Sequence, residues 1–126
     1  MKRCMIVDDS SVIRKVAKRI LSSAEMLVIE AGTAAQALEM CGAEMPDYIV
    51  VDGGLEDMNV VDFIRAALAV PSPIRPQILI CVIQLDVGAI MRAKRAGAVG
   101  YVMKPFNRPQ LIERFRAETT STVAAA

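Results

Sequence analysis

The sequence predicts an α/β domain built as a doubly wound parallel sheet with helices on both faces. Short apolar runs alternate with segments of helical period along the chain. The runs are apolar at consecutive positions, as suits strands covered on both sides. Three of them end in a charge: Met5-Ile6-Val7 in Asp8-Asp9, Tyr48-Ile49-Val50-Val51 in Asp52, and Tyr101-Val102-Met103 in Lys104. In parallel strands of one sheet, those charges gather at one rim.

The first run leads into Ser10 or Ser11, either of which can cap a helix. In that helix Ile13, Val16, Ala17, Ile20 and Leu21 share one side, and Arg14, Lys15, Lys18 and Arg19 the other. Met26 to Glu30 reads as the second strand, Gly32 as a turn, and Thr33 as the cap of a helix turning Ala34, Ala37, Leu38 and Cys41 inward. Pro46 blocks continuation, and Tyr48 to Val51 follows as the third strand, with Asp52-Gly53-Gly54 a flexible exit. A helix beginning around Asn59 to Asp62 uses Phe63, Ile64, Ala67 and Leu68 inwardly until Pro71, Pro73 and Pro76 mark a loop. Ile78 to Ile83 is the fourth strand. Asp86 opens a helix with Ile90 and Met91 inward and Arg92, Lys94 and Arg95 outward, closed by Gly97 as a left-handed cap. Val99 to Met103 is the last strand. Asn107 caps a final helix with Pro109 in its first turn and Leu111, Ile112 and Phe115 inward. From Ala117 the composition shifts to Thr, Ser and Ala, so the domain is expected over 1–117 and a frayed tail over 118–126. Five strands and five helices in alternation imply right-handed crossovers, and sites in such sheets form outside the carboxyl ends of the strands.

The bulk numbers agree with one such domain. At 126 residues the chain has room for a single core, and with 54% hydrophobic but only 4% aromatic residues that core is aliphatic. Fifteen basic and fourteen acidic residues leave a net charge of +1, which offers no global field to attract nucleic acid or an anionic membrane. No run approaches the roughly 18 apolar residues of a membrane span, and a cytosolic protein is expected. Cys4, Cys41 and Cys81 lack metal-ligand spacing and read as reduced, buried thiols. The chain has no histidine, which excludes His-based hydrolase triads and zinc sites that need one.

Three carboxylates brought within a few ångströms repel one another unless a positive charge lies between them. Lys104 supplies one charge, and a hard divalent cation such as Mg²⁺ suits the rest: it takes a few oxygen ligands, keeps waters, and is usually completed by a phosphate. Metal, carboxylate and ammonium together are an apparatus for phosphoryl transfer. Asp52 is the best acceptor, because a carboxylate can become an acyl phosphate and Gly53-Gly54 leaves space behind it.

These residues resemble the receiver domain of bacterial response regulators. The resemblance rests on Val7-Asp8-Asp9-Ser10-Ser11, Val50-Val51-Asp52, Ala96-Gly97-Ala98 and Lys104-Pro105-Phe106, and covers the chain to about Ala117. It implies a flavodoxin-like (βα)5 fold with strand order 2-1-3-4-5. It further implies Asp52 as phosphoacceptor, with Asp8, Asp9, Asp52 and the Gly54 carbonyl holding Mg²⁺. Lys104 would bind the phosphoryl group, Lys104-Pro105 would be a cis peptide, and Tyr101 would occupy the rotating aromatic position of a switch. A dinucleotide-binding enzyme on a similar sheet would need a G-x-G-x-x-G loop after the first strand, where this chain has Asp-Asp.

The sequence leaves the family pattern at two places. Where a Ser or Thr ends the fourth strand in the family, this chain has Val82, followed by Ile83 in place of a small residue. Valine has threonine's shape but cannot donate, so a charge-assisted hydrogen bond worth roughly 1.5–3 kcal/mol is missing from the phosphorylated state. After Asp52 the family's Met-Pro and Asp-Gly are replaced by Leu55-Glu56-Asp57-Met58-Asn59, which adds negative charge near the site.

The functional expectation is a stand-alone receiver of a two-component or phosphorelay system. It is not an enzyme beyond self-phosphorylation from a donor and autodephosphorylation, and it signals by protein contact. The alternative is a degenerate receiver binding partners independently of phosphate. A histidine kinase or histidine phosphotransfer protein is expected at the Arg14, Lys15, Lys18 and Arg19 face. A downstream target or dimer partner is expected near Arg92, Lys94, Arg95 and Tyr101.

Overall fold

A computed structural model describes residues 1–120. Strands β1 (Lys2–Val7), β2 (Met26–Ala31), β3 (Tyr48–Asp52), β4 (Gln77–Val82) and β5 (Gly100–Met103) alternate with helices α1 (Ser11–Leu21), α2 (Ala34–Ala43), α3 (Val60–Ala69), α4 (Val87–Ala96) and α5 (Arg108–Glu118). All pairings are parallel, and the sheet order is β2-β1-β3-β4-β5, as the resemblance implied.

The two-residue alternation of a strand divides the core into two layers. Met5, Val7, Ile49, Val51, Ile78 and Ile80 face α2, α3 and α4, meeting Ala37, Phe63, Ile64, Ile90 and Ala93. Cys4, Ile6, Tyr48, Val50, Leu79, Cys81 and Val102 face α1 and α5, meeting Ala17, Leu21, Leu111 and Phe115. The only two fully buried aromatic rings among the described residues, Phe63 and Phe115, fall one in each layer. Both faces being covered is why the strands read as unbroken apolar runs rather than alternating ones.

Each helix starts on a side chain that accepts from its first turn: Ser10, Thr33, Asn59, Asp86 and Asn107. The last adds a reciprocal bond from Gln110, completing a capping box. Gly97 ends α4 with φ +124°, a conformation that disfavours any side chain, and an added Cβ there would also strike Leu68.

Several details of the helical reading change. Val16 and Met91, assigned inward, are exposed, because the buried stripes of α1 and α4 narrow to Ala17, Ile20 and Leu21 and to Ile90 and Ala93. Ile83 lies outside β4 and is 72% exposed. Helix α5 runs to Glu118, and Thr120 exchanges two hydrogen bonds with the side chain of Gln77, so the chain at 118–120 is held against the sheet rather than frayed. The rest of the expected tail, 121–126, lies outside the described residues. No helix among the described residues is long and apolar enough to cross a membrane.

Candidate functional site

Register brings the strand-end charges together. Val7 pairs with Val51, Asp52 with Cys81 and Val82 with Met103, so Asp8, Asp52 and Lys104 emerge side by side at the carboxyl rim. The backbone N–H of Lys104 donates to the Val82 carbonyl at 2.8 Å, carrying the β4–β5 ladder one step past the strand and setting where the lysine side chain departs. The peptide that follows, Lys104-Pro105, is cis.

Lys104 Nζ lies 2.9 Å from Asp8 Oδ2 and 3.2 Å from Asp52 Oδ1. Burial opposes its charge, but hydrogen bonds to Asp8 and Asp52, together with the field of both carboxylates, outweigh that and hold the ammonium above the ordinary lysine value. Asp8, 2% exposed, is the only buried charged residue among those described. Its Oδ1 accepts from the Ser10 N–H at 2.9 Å and its own N–H donates to the Ala31 carbonyl at 3.1 Å. Asp52 accepts from the Gly54 N–H at 3.3 Å, and both this contact and the lysine fall on Oδ1. Asp9 is exposed. One carboxylate oxygen from each of Asp8, Asp9 and Asp52 lies within 4.8 Å of the others, a set of hard oxygen donors that fits a small divalent cation.

Beside Asp52 opens a cleft of about 430 Å³ lined by Gly53, Gly54, Val60, Val82, Ile83, Ala89 and Lys104. Val82 thus reaches the position read from the sequence, and what it presents to the cleft is apolar. Cys81, behind Asp52, faces the opposite layer; burial pushes its thiol up to about 12, with Lys104 opposing and the two carboxylates reinforcing the rise. All three cysteines are buried and unpaired, as expected.

The loop after Asp52, where the family's Pro and Gly are absent, is anchored differently. Asp57 accepts from the backbone N–H groups of Ala34 and Ala35, each at 3.1 Å, so it caps α2 from a distance. Those two bonds hold its carboxyl below the ordinary range. The Asp57 part of the negative charge expected near the site therefore serves a helix terminus, while Glu56 is exposed.

The basic face of α1 is also rearranged. Arg14 turns inward: its Nε donates to Glu30 Oε1 at 3.1 Å and its Nη1 to the carbonyl of Asp8. Lys15 Nζ reaches Glu30 Oε2 at 2.7 Å and Lys18 lies 3.9 Å from the same oxygen. Of the four residues, only Arg19 has no part in this cluster. Glu30, the centre of this cluster, follows the apolar run Met26-Leu27-Val28-Ile29 of β2 as Asp52 follows that of β3, and that position is its signal in the sequence. On the other side, Arg92, Lys94 and Arg95 are exposed on α4 as expected. Tyr101 does not stand open beside them: the Arg114 guanidinium lies 4.3 Å from its ring centroid.

Fold and site together define a flavodoxin-like α/β domain with an acidic carboxyl rim. The chain belongs to the response regulator receiver domain family, whose model matches residues 4–116. It is 28% identical to the chemotaxis protein CheY of Thermotoga maritima over 113 residues, 89% of this chain and 92% of that protein. It is 30% identical to the transcriptional regulatory protein KdpE of Mycobacterium tuberculosis over 129 residues, covering 100% of this chain but 54% of KdpE. The chain thus spans about half the length of that curated relative. Among solved structures, chemotaxis protein CheY4 of Vibrio cholerae superposes with a TM-score of 0.81 at 25% identity, covering 94% of this chain and 99% of that one.

Proposed function

We propose that this receiver domain accepts a phosphoryl group on Asp52 with Mg²⁺ held by Asp8, Asp9, Asp52 and the Gly54 carbonyl, and passes the signal on by protein contact. The observation that carries the reading is the position of Lys104 Nζ, within 3.2 Å of carboxylates at the ends of two different strands, in the wall of the cleft beside Asp52. A bridging ammonium there supports neutralising an incoming phosphoryl group as negative charge accumulates on its oxygens. Asp52 Oδ2 carries none of the contacts made by Oδ1 and is the oxygen we assign to attack phosphorus. The phosphorus–oxygen bond to Asp52 forms as the bond to the donor's leaving group breaks, and the leaving group takes the electron pair. The divalent ion, when bound, supplies charge neutralisation and alignment of the phosphoryl oxygens.

The donor we assign is a histidine kinase or histidine phosphotransfer protein in the cytoplasm. The α1 surface offers it less free charge than its composition suggests, since Lys15 and Lys18 already lean on Glu30. The exposed Arg92, Lys94 and Arg95 support a downstream partner on α4.

A second reading is favoured by one observation, the apolar Val82 and Ile83 lining the cleft where a hydroxyl and a small residue stand in the family. In it, phosphorylation proceeds but couples weakly to the partner surface. Mass measurement after incubation with Mg²⁺ and acetyl phosphate, or with a phosphorylated histidine-containing protein, tests the main reading. The wild type is expected to gain one phosphoryl group and Asp52→Asn none. Failure of the wild type with both donors would overturn it.

A further inference from the structure

Arg14 is the one guanidinium among the described residues that reaches the acidic rim, and it does so through the backbone. Its Nη1 donates to the carbonyl of Asp8 while its Nε is held by Glu30 at 3.1 Å. The carbonyl it grips belongs to the peptide that joins Asp8 to Asp9. The plane of that peptide sets the orientation of the two carboxylates relative to one another. Asp8 itself is pinned on both carboxylate oxygens, by Ser10 N–H and Lys104, whereas Asp9 is exposed. The Asp8 N–H is held by the Ala31 carbonyl of β2, but the Asp8 carbonyl lies past the last β1–β2 pair, Val7 with Ala31, and among the described residues Arg14 is the partner that grips it.

Arg14 is well placed to be rigid. Its side chain is 18% exposed, and its acceptor Glu30, 14% exposed, is steadied in turn by Lys15 at 2.7 Å. A planar fork with two donors engaged at once holds direction as well as distance, which a lysine cannot reproduce. We infer that Arg14, backed by Glu30, is a positioning residue for the divalent cation: by locking the Asp8-Asp9 peptide it presents both carboxylates to one ion. This rests on the metal site proposed above.

Positioning and simple electrostatics give opposite signs for the loss of Arg14. Arg14 is a positive charge near a cation site, so charge alone predicts that Arg14→Gln binds a divalent cation as well as or better than the wild type. Positioning predicts weaker binding, by roughly 10–100-fold, the usual effect of removing an outer partner that orients metal ligands. Arg14→Lys, which keeps the charge and loses the fork, is expected to weaken binding too, whereas charge alone predicts no change.

The measurement is Mn²⁺ binding to the full chain, followed by loss of the free-ion electron paramagnetic resonance signal. It is made at a temperature where thermal melting shows each variant folded. Weakened binding by both variants supports the inference, and binding by Arg14→Lys equal to wild type overturns it. If Arg14→Gln does not fold, Arg14→Lys decides alone. A wild type that binds no Mn²⁺ overturns the metal site itself and the inference with it, an outcome distinct from intact wild-type binding with unaffected variants.

Discussion

The carboxylate of Glu118 occupies the space that a Cβ on Gly100 would fill. From there its Oε2 accepts from the Tyr101 N–H at 3.1 Å, while Arg114, paired with Glu118 at 3.2 Å, donates through Nε and Nη2 to the Tyr101 carbonyl. Strand β5 is an edge of the sheet, and its outward backbone groups would otherwise be a template for another chain. Two side chains of α5 take the place of a sixth strand. Gly100→Ala must therefore expel Glu118 and strand a partly buried donor, at a cost of about 1–3 kcal/mol. Urea unfolding is expected to show this loss, and a double-mutant cycle with Glu118→Ala should show less than additive destabilisation, since the second change removes the group that the first collides with.

Asp57 replaces local loop chemistry with a long-range cap. Replacing it with Ala is expected to speed hydrogen exchange at the Ala34 and Ala35 amides, whose partner it is, while amides in the middle of α5 remain unaffected. Equal exchange in variant and wild type would show that the cap contributes nothing in solution.

Glu30 makes stability depend on pH in a definite sense. Its hydrogen bond from Lys15, opposed by burial and aided by Arg14, holds its folded carboxyl below the ordinary value. Between the folded and unfolded values the unfolded chain binds a proton that the native protein does not, so stability rises with pH there. The contribution is fully present above the unfolded value and is lost as pH falls through the folded one. Urea unfolding of wild type and Glu30→Gln across the acid range should therefore converge as pH is lowered. A constant gap would remove Glu30 from the account.

Val82→Thr restores a hydroxyl to the cleft wall. If the missing hydrogen bond is what weakens the response, the variant should raise the ratio of partner affinity with and without phosphate by roughly ten- to a hundredfold. The ratio can be read by pull-down or calorimetry with the partner in the presence and absence of beryllofluoride, a stable phosphoryl mimic. An unchanged ratio would show that the domain transmits without a hydroxyl.

The fold and the centre of the site are legible in the sequence because both depend on local regularities. A strand covered on both faces must be apolar at consecutive positions, and a charge that ends such a run must lie at the rim. Asp8, Asp9, Asp52 and Lys104 follow from that rule alone, and each helix cap follows from the oxygen that its first turn needs. What the tertiary structure decided are contacts between segments that only the parallel crossovers bring together. Arg14 and Glu30 are 16 residues apart, Ala34 and Asp57 23, and Tyr101 and Glu118 17. A helical period assigns Arg14 to the polar side of α1, but it cannot tell that the largely covered carboxylate of Glu30, near the end of the neighbouring strand, will draw it inward. Burial makes an unpaired charge too costly to leave, and which partner answers it is a matter of three-dimensional proximity.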